Sequence, residues 1–218
     1  NFGSMSEKTE PAQTVRPWCL LLQPSGRRAI AGFHDGSLVT LRLGDESVEV
    51  ESTAQIAAGP IADAALLPDG VSVATVSLDV PLREDLGLEW VNSAVIVTRD
   101  AITTSTLRVW DFDAARERLR CGAEPFLLRA VAVSPDGRFA VTGSTDSLIR
   151  IWNLNDGLRI QTLALHRARV EAIAISPDGA LCASGSRDGM VSIWSLANAK
   201  VHRAFNAHHD GVTALSFS

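Results

Sequence analysis

The segment Ser134-Pro135-Asp136-Gly137 occurs again as Ser176-Pro177-Asp178-Gly179, an offset of 42 residues, and its surroundings move by the same step. Gly143-Ser144 maps onto Gly185-Ser186, Asp146 onto Asp188, Ile151-Trp152 onto Ile193-Trp194, His166 onto His208 and Val170 onto Val212. Two earlier copies are more degraded, yet all four keep a turn glycine and a turn aspartate nine residues apart: Gly26/Asp35, Gly70/Asp79, Gly137/Asp146 and Gly179/Asp188. Six residues past the aspartate stands Trp152, Trp194 or, in the first copy, Leu41. The second copy reaches its tryptophan only at Trp110, so an insertion of 25 residues, about Val80 to Thr104, lies between two of its strands.

A repeat of roughly 40–45 residues is the length of a four-stranded propeller blade, a unit that buries its apolar faces only against its neighbours. Within a copy, short β-branched and apolar runs are bounded by Pro, Gly, Asp and Ser, which predicts strands over Val170–Ser176, Leu181–Gly185, Met190–Leu196 and Val201–Asn206. Asp188-Gly189 supplies the turn between the second and third strands, and Ser176-Pro177-Asp178-Gly179 the turn between the first and second. No segment keeps a helical period, so almost no helix is expected. The expected fold is an all-β propeller of four-stranded antiparallel blades: residues 17–58, 59–122 with the insertion at about 80–104, 123–164 and 165–206. Residues 207–218 then form the first strand of a fifth blade. Asn1 to Ser4 read as an expression remnant and Ser6 to Arg16 as a flexible leader, and both stand outside the fold argument.

Hydrophobic residues make up 46% of the chain, enough for a buried core, while a net charge of -5 argues against nucleic acid or anionic lipid as the main partner. Cys19, Cys121 and Cys182 are too few and too scattered for a disulfide framework, and no window approaches the roughly 18 apolar residues of a membrane span. A cytoplasmic location is expected, with the nucleus left open.

Trp110-Asp111, with Trp152-Asn153 and Trp194-Ser195 as variants, completes a pattern that resembles the WD-repeat β-propellers over most of Pro17 to Ser218. The resemblance implies a hydrogen-bonded chain of a histidine before the first strand, a Ser or Thr on the second, the turn aspartate and the third-strand tryptophan. Here the full set is His166, Ser184, Asp188 and Trp194. The preceding copy keeps Thr142, Asp146 and Trp152 but has Glu124 in the histidine position; the second copy keeps Thr75, Asp79 and Trp110 but has Ala57 there. Ser, His and Asp together also suggest a hydrolase triad, but the resemblance buries this serine beneath the tryptophan, and no oxyanion-hole signature accompanies it.

His202, His208, His209 and Asp210 are read as loop decoration, since His208 opens the next copy and no cysteine is close enough to complete a zinc site; neither metal nor cofactor is expected. The family implies binding to other proteins through its loop faces. On one such face Arg167, Arg169 and Arg187 are candidates for charge-assisted contacts to carboxylates or phosphates of a partner. Within the insertion, Trp90 is a candidate anchor for a partner groove, or else part of a lengthened hairpin. The expected function is a non-catalytic protein-interaction scaffold. The alternatives are a reader of an acidic or modified peptide at the propeller face, and an enzyme with a loop-built pocket. The extra strand at 212–217 leads to the further expectation that the ring is completed by a longer parent sequence, a second chain or self-association.

Overall fold

The computed structural model describes residues 17–79 and 104–217, and between them only the backbone of two short strands. Four antiparallel four-stranded sheets follow one another along the chain, and no helix occurs among the described residues. Blade 1 is β1 (Pro17–Leu22), β2 (Arg28–Phe33), β3 (Ser37–Leu43) and β4 (Val48–Gln55). Blade 2 begins with β5 (Ile61–Leu66) and β6 (Ser72–Leu78), is interrupted by the hairpin β7 (Glu89–Val91) and β8 (Ala94–Ile96), and resumes with β9 (Ser105–Asp111) and β10 (Arg116–Arg120). Blade 3 is β11 (Leu128–Val133), β12 (Phe139–Ser144), β13 (Ile149–Asn153) and β14 (Arg159–Leu163); blade 4 is β15 (Val170–Ile175), β16 (Leu181–Ser186), β17 (Met190–Ser195) and β18 (Val201–Asn206).

The turns explain why the repeat motif recurs. Gly137 and Gly179 sit at φ 70° and 71°, a left-handed conformation that glycine adopts without a Cβ penalty. The flanking side chains fasten the same turn. Ser134 Oγ accepts the Phe139 N–H at 3.0 Å and donates to Asp136 Oδ1 at 2.6 Å, and Asp136 Oδ1 also accepts the Arg138 N–H at 3.0 Å. Ser176 and Asp178 repeat the arrangement on Leu181 and Ala180. Between the second and third strands, Asp146 accepts from the Leu148 N–H at 3.0 Å and Asp188 from the Met190 N–H at 2.9 Å. Gly189 takes the left-handed place in blade 4, whereas Ser147 is forced into it in blade 3 at φ 70°.

The registers of blades 3 and 4 are related by the 42-residue step. Thr142 pairs with Arg150 and Ser184 with Ser192, and a bulge falls in each first strand, between Leu128 and Ala130 or between Val170 and Ala172. The first strands lie side by side, β1 on β5, β5 on β11 and β11 on β15, so they form the inner edge of the arc. Apolar clusters fill each gap between blades: Ile30 and Leu38 against Ile61 and Val73, Leu107 and Val109 against Leu128 and Trp152, and Ile149 and Ile151 against Val170 and Trp194. Each of the buried tryptophans thus packs toward the preceding blade. The close approach has a steric condition: a Cβ on Gly143 would lie 2.5 Å from Val170 Cγ1, and one on Gly185 2.5 Å from Val212 Cγ1.

Among the described residues the arc of four sheets does not close. Val212 sits over Gly185 as Val170 sits over Gly143, is buried, and donates its N–H to Ser186 O at 2.9 Å. Residues 211–217 therefore reach the position expected for the first strand of a fifth blade. They carry no strand ladder, because nothing among the described residues pairs with them as β16 pairs with β15. The ends of the insertion meet as its placement between two strands requires, with the Asp79 N–H donating to Thr104 O at 2.9 Å and Leu78 pairing with Ser105. Apart from the paired strands β7 and β8, the rest of the insertion lies outside the described residues, as does the Trp90 side chain and with it the expected role of that residue.

Candidate functional site at the inner strands and turn networks

His166 Nδ1 lies 3.3 Å from Asp188 Oδ2 and Nε2 lies 2.8 Å from Ser184 Oγ. With the Nδ1 proton directed at Asp188, Nε2 accepts the Ser184 hydroxyl. Asp188 also accepts the Arg167 N–H at 2.8 Å, so this carboxylate ties the loop before β15 to the turn after β16. Burial pushes the Asp188 carboxyl up, but the N–H groups of Arg167 and Met190 outweigh it and hold the carboxyl below its ordinary range. Burial lowers the His166 pKa more than the Asp188 charge raises it, so the ring is neutral at pH 7. The order Ser, His, Asp is that of a hydrolase triad, yet Ser184 is fully buried and the His166 side chain is equally inaccessible. A substrate carbonyl has no path to the hydroxyl.

A second set of residues surrounds a cavity of about 610 Å³ at the inner edge of the arc. Trp18, Ala62, Arg129, Glu171 and Thr213 line it, and they share one repeat position: each follows the residue that begins, or in blade 5 would begin, an inner strand. Glu171, itself buried, gathers three guanidiniums: Arg129 at 3.1 Å, Arg169 at 2.5 Å and Arg187 at 3.4 Å. Asp63 also lines the cavity, and burial pushes its carboxyl up to about 6 despite the Val131 N–H that it accepts at 2.9 Å.

Residues 122–153 and 157–195 match the family model described as WD domain, G-beta repeat. The two matched segments are WD repeats. No curated protein matches it.

Measured against the WD-repeat pattern, only part of the implied hydrogen-bonded chain forms. His166, Ser184 and Asp188 are linked, but the Trp194 Nε1–H has no partner among the described residues. Ser184 Oγ is engaged with His166, and Trp194 is held by packing alone. In blade 3 the tryptophan is bonded, Trp152 Nε1 donating to Thr142 Oγ1 at 2.9 Å. In blade 2, Thr75 Oγ1 is buried without a partner among the described residues, so no link from it to Trp110 forms.

Blades 2 and 3 replace the missing histidine with an arginine two residues before the tryptophan. Arg150 binds Asp146 through Nη2 at 2.5 Å and holds its Nε 3.2 Å from Glu124 Oε2, an ion pair without a hydrogen bond, and Arg159 reaches the same Glu124 at 2.7 Å. Glu124, standing where histidine is expected, is therefore the counter-ion of a buried guanidinium. In blade 2, Arg108 pairs with Asp79 and lies 3.3 Å from Glu117, while Thr106 donates to Asp79. Ala57 leaves room there and contributes no polar group. The sequence signal was present in Arg108/Trp110 and Arg150/Trp152, two charged residues at equivalent buried positions.

The expected arginine trio does not form one patch. Arg169 and Arg187 converge on Glu171, but Arg167 is exposed and, among the described residues, is fixed only through its backbone N–H, and the third guanidinium on Glu171 belongs to Arg129. Arg129 was legible as the residue one repeat before Glu171. Among the described residues no three His, Cys, Asp or Glu side chains are grouped to hold a metal ion.

Proposed function

We propose that this protein is a non-catalytic WD-repeat interaction scaffold that engages acidic side chains of partner proteins at its inner opening. The convergence of Arg129, Arg169 and Arg187 on the single buried carboxylate Glu171 carries this reading. Three guanidiniums set against Glu171 and Asp63, the latter pushed up to about 6 by burial, leave a net positive charge beside a polar cavity large enough for a carboxylate side chain. The scaffold reading is supported further by the burial of Ser184 and by the cysteines. Burial pushes the Cys19 and Cys121 thiols up to about 12 and the Cys182 thiol up as well, which removes them as nucleophiles at neutral pH. Three free thiols accord with a cytoplasmic setting. Leu20 and Leu22 are exposed on the side of β1 that faces away from blade 2, and this supports the covering of that face by a further blade or partner.

The test is affinity capture with mass spectrometry of partners, followed by titration of the captured protein against wild type and Arg129→Glu/Arg187→Glu. Weaker binding by the variant, with a smaller dependence on salt, is expected. Unchanged affinity would remove the inner opening from the interface.

A further inference from the structure

A groove of about 520 Å³ lies between blades 3 and 4, on the side of their first turns and away from the inner cavity. Phe139, Ile151, Ile160 and Leu196 give it apolar walls, and Asp136 and Asp178 add carboxylates. Ile160, on β14, is 53% exposed at the rim of this groove.

Blade 2 shows what such an aspartate takes when a cation is within reach. Asp69 occupies the same place in its Pro-Asp-Gly turn as Asp136, and its Oδ2 receives Arg118 Nη1 at 2.7 Å while Oδ1 accepts the turn N–H groups. Arg118 stands eight residues past Trp110, and the residue eight past Trp152 is Ile160. Blade 3 therefore keeps the carboxylate and replaces its guanidinium with an apolar surface. Asp136 Oδ1 is occupied by Ser134 and Arg138 N–H, as in the other turns, and the Arg138 guanidinium lies over the Phe139 ring at 5.5 Å instead of pairing with Asp136. Among the described residues no Lys, Arg or His forms an ion pair with Asp136 or Asp178.

We propose that the groove between blades 3 and 4 binds a partner peptide carrying an arginine within two residues of a large aliphatic side chain. The guanidinium takes the place on Asp136 that Arg118 takes on Asp69. The aliphatic side chain packs on Ile151, Ile160 and Leu196. Asp178, on the far side of the groove, adds the field that favours a cation over an anion. The volume suits a short peptide segment of this kind.

Panning a random heptapeptide library against wild type and Asp136→Asn/Asp178→Asn tests this directly. Asparagine keeps the Oδ1 acceptor that closes each turn and removes only the charge, and a thermal melt checks that the fold is retained. The expected result is enrichment of Arg beside Leu, Ile or Met on wild type and its loss on the variant. A synthetic peptide of the enriched sequence should bind the variant about tenfold more weakly, the factor set by roughly one charge-assisted hydrogen bond. Ile160→Arg, which rebuilds the blade 2 arrangement, should block that peptide while leaving the fold intact. Enrichment of acidic peptides, enrichment shared equally by the variant, no enrichment, or binding indifferent to Ile160→Arg would each overturn the proposal.

Discussion

Replacing Arg150 with methionine removes a guanidinium that is 4% exposed and leaves Asp146 with no cation, whereas Glu124 keeps Arg159. Burial pushes the Asp146 carboxyl up, and in the wild type the Arg150 hydrogen bonds, the Leu148 N–H and the Arg150 charge together outweigh it and hold the group below its ordinary range. Breaking a buried pair on one side typically costs about 3–5 kcal/mol, because the remaining charge is desolvated and uncompensated. Set against a domain stability of about 5–15 kcal/mol, this is a large share. Methionine keeps the hydrophobic stem, so little of the loss comes from a cavity. Neutralising the partners as well, in Arg150→Met/Asp146→Asn/Glu124→Gln, should recover most of the stability. Arg159→Ala, at a half-exposed guanidinium, should cost less than about 1 kcal/mol. Urea denaturation followed by tryptophan fluorescence at pH 7 measures all three. If Arg150→Met matches wild type, or the triple variant is no better than the single one, the buried ion network is not what replaces the histidine in blade 3.

Three further outcomes are expected. Asp63 binds its proton more tightly folded than unfolded, with a folded value of about 6 against 3.8, so its contribution to stability is lost as pH rises from 4 to 6. Asp63→Asn should therefore gain melting temperature over wild type on going from pH 4 to pH 7, and a constant difference would refute the assignment. His166 behaves oppositely. Its folded pKa is lowered, so only the unfolded chain takes up a proton just below 6.5 and stability falls as pH drops through that region; His166→Gln should flatten this limb of the pH–stability curve. Gly185→Ala puts a Cβ 2.5 Å from Val212 Cγ1, and overpacking of that kind costs about 1–3 kcal/mol. Amide hydrogen exchange at Val212 should accelerate in that variant, and unchanged protection would show that 211–217 does not rest on blade 4.

The blade architecture was legible because each turn is written in residues with local chemistry: Pro-Asp-Gly, the aspartate nine residues on, and the tryptophan that packs on the preceding blade. The ion networks were harder to see. A buried Arg108 or Arg150 in a strand looks like a solvent-facing charge until the register places it opposite Thr75 or Thr142, with Asp79 or Asp146 at the adjacent turn. Glu124 stands out in the sequence as a departure from histidine, but its role depends on Arg150, a contact between different elements. The inner cavity was hidden for a similar reason. Trp18, Ala62, Arg129, Glu171 and Thr213 share one repeat position while differing in chemistry, so aligning residue types misses what aligning positions reveals.

The claim that this protein is a scaffold whose Ser-His-Asp set is structural is tested most directly at Ser184. Replacing it with alanine removes the hydroxyl buried against His166 and leaves Nε2 without its partner. The melting temperature should fall, by an amount corresponding to about 1–3 kcal/mol, with unchanged affinity per folded molecule for a protein captured by the wild type. A Ser184→Ala variant that keeps its stability but loses an esterase or peptidase activity present in the wild type would contradict it.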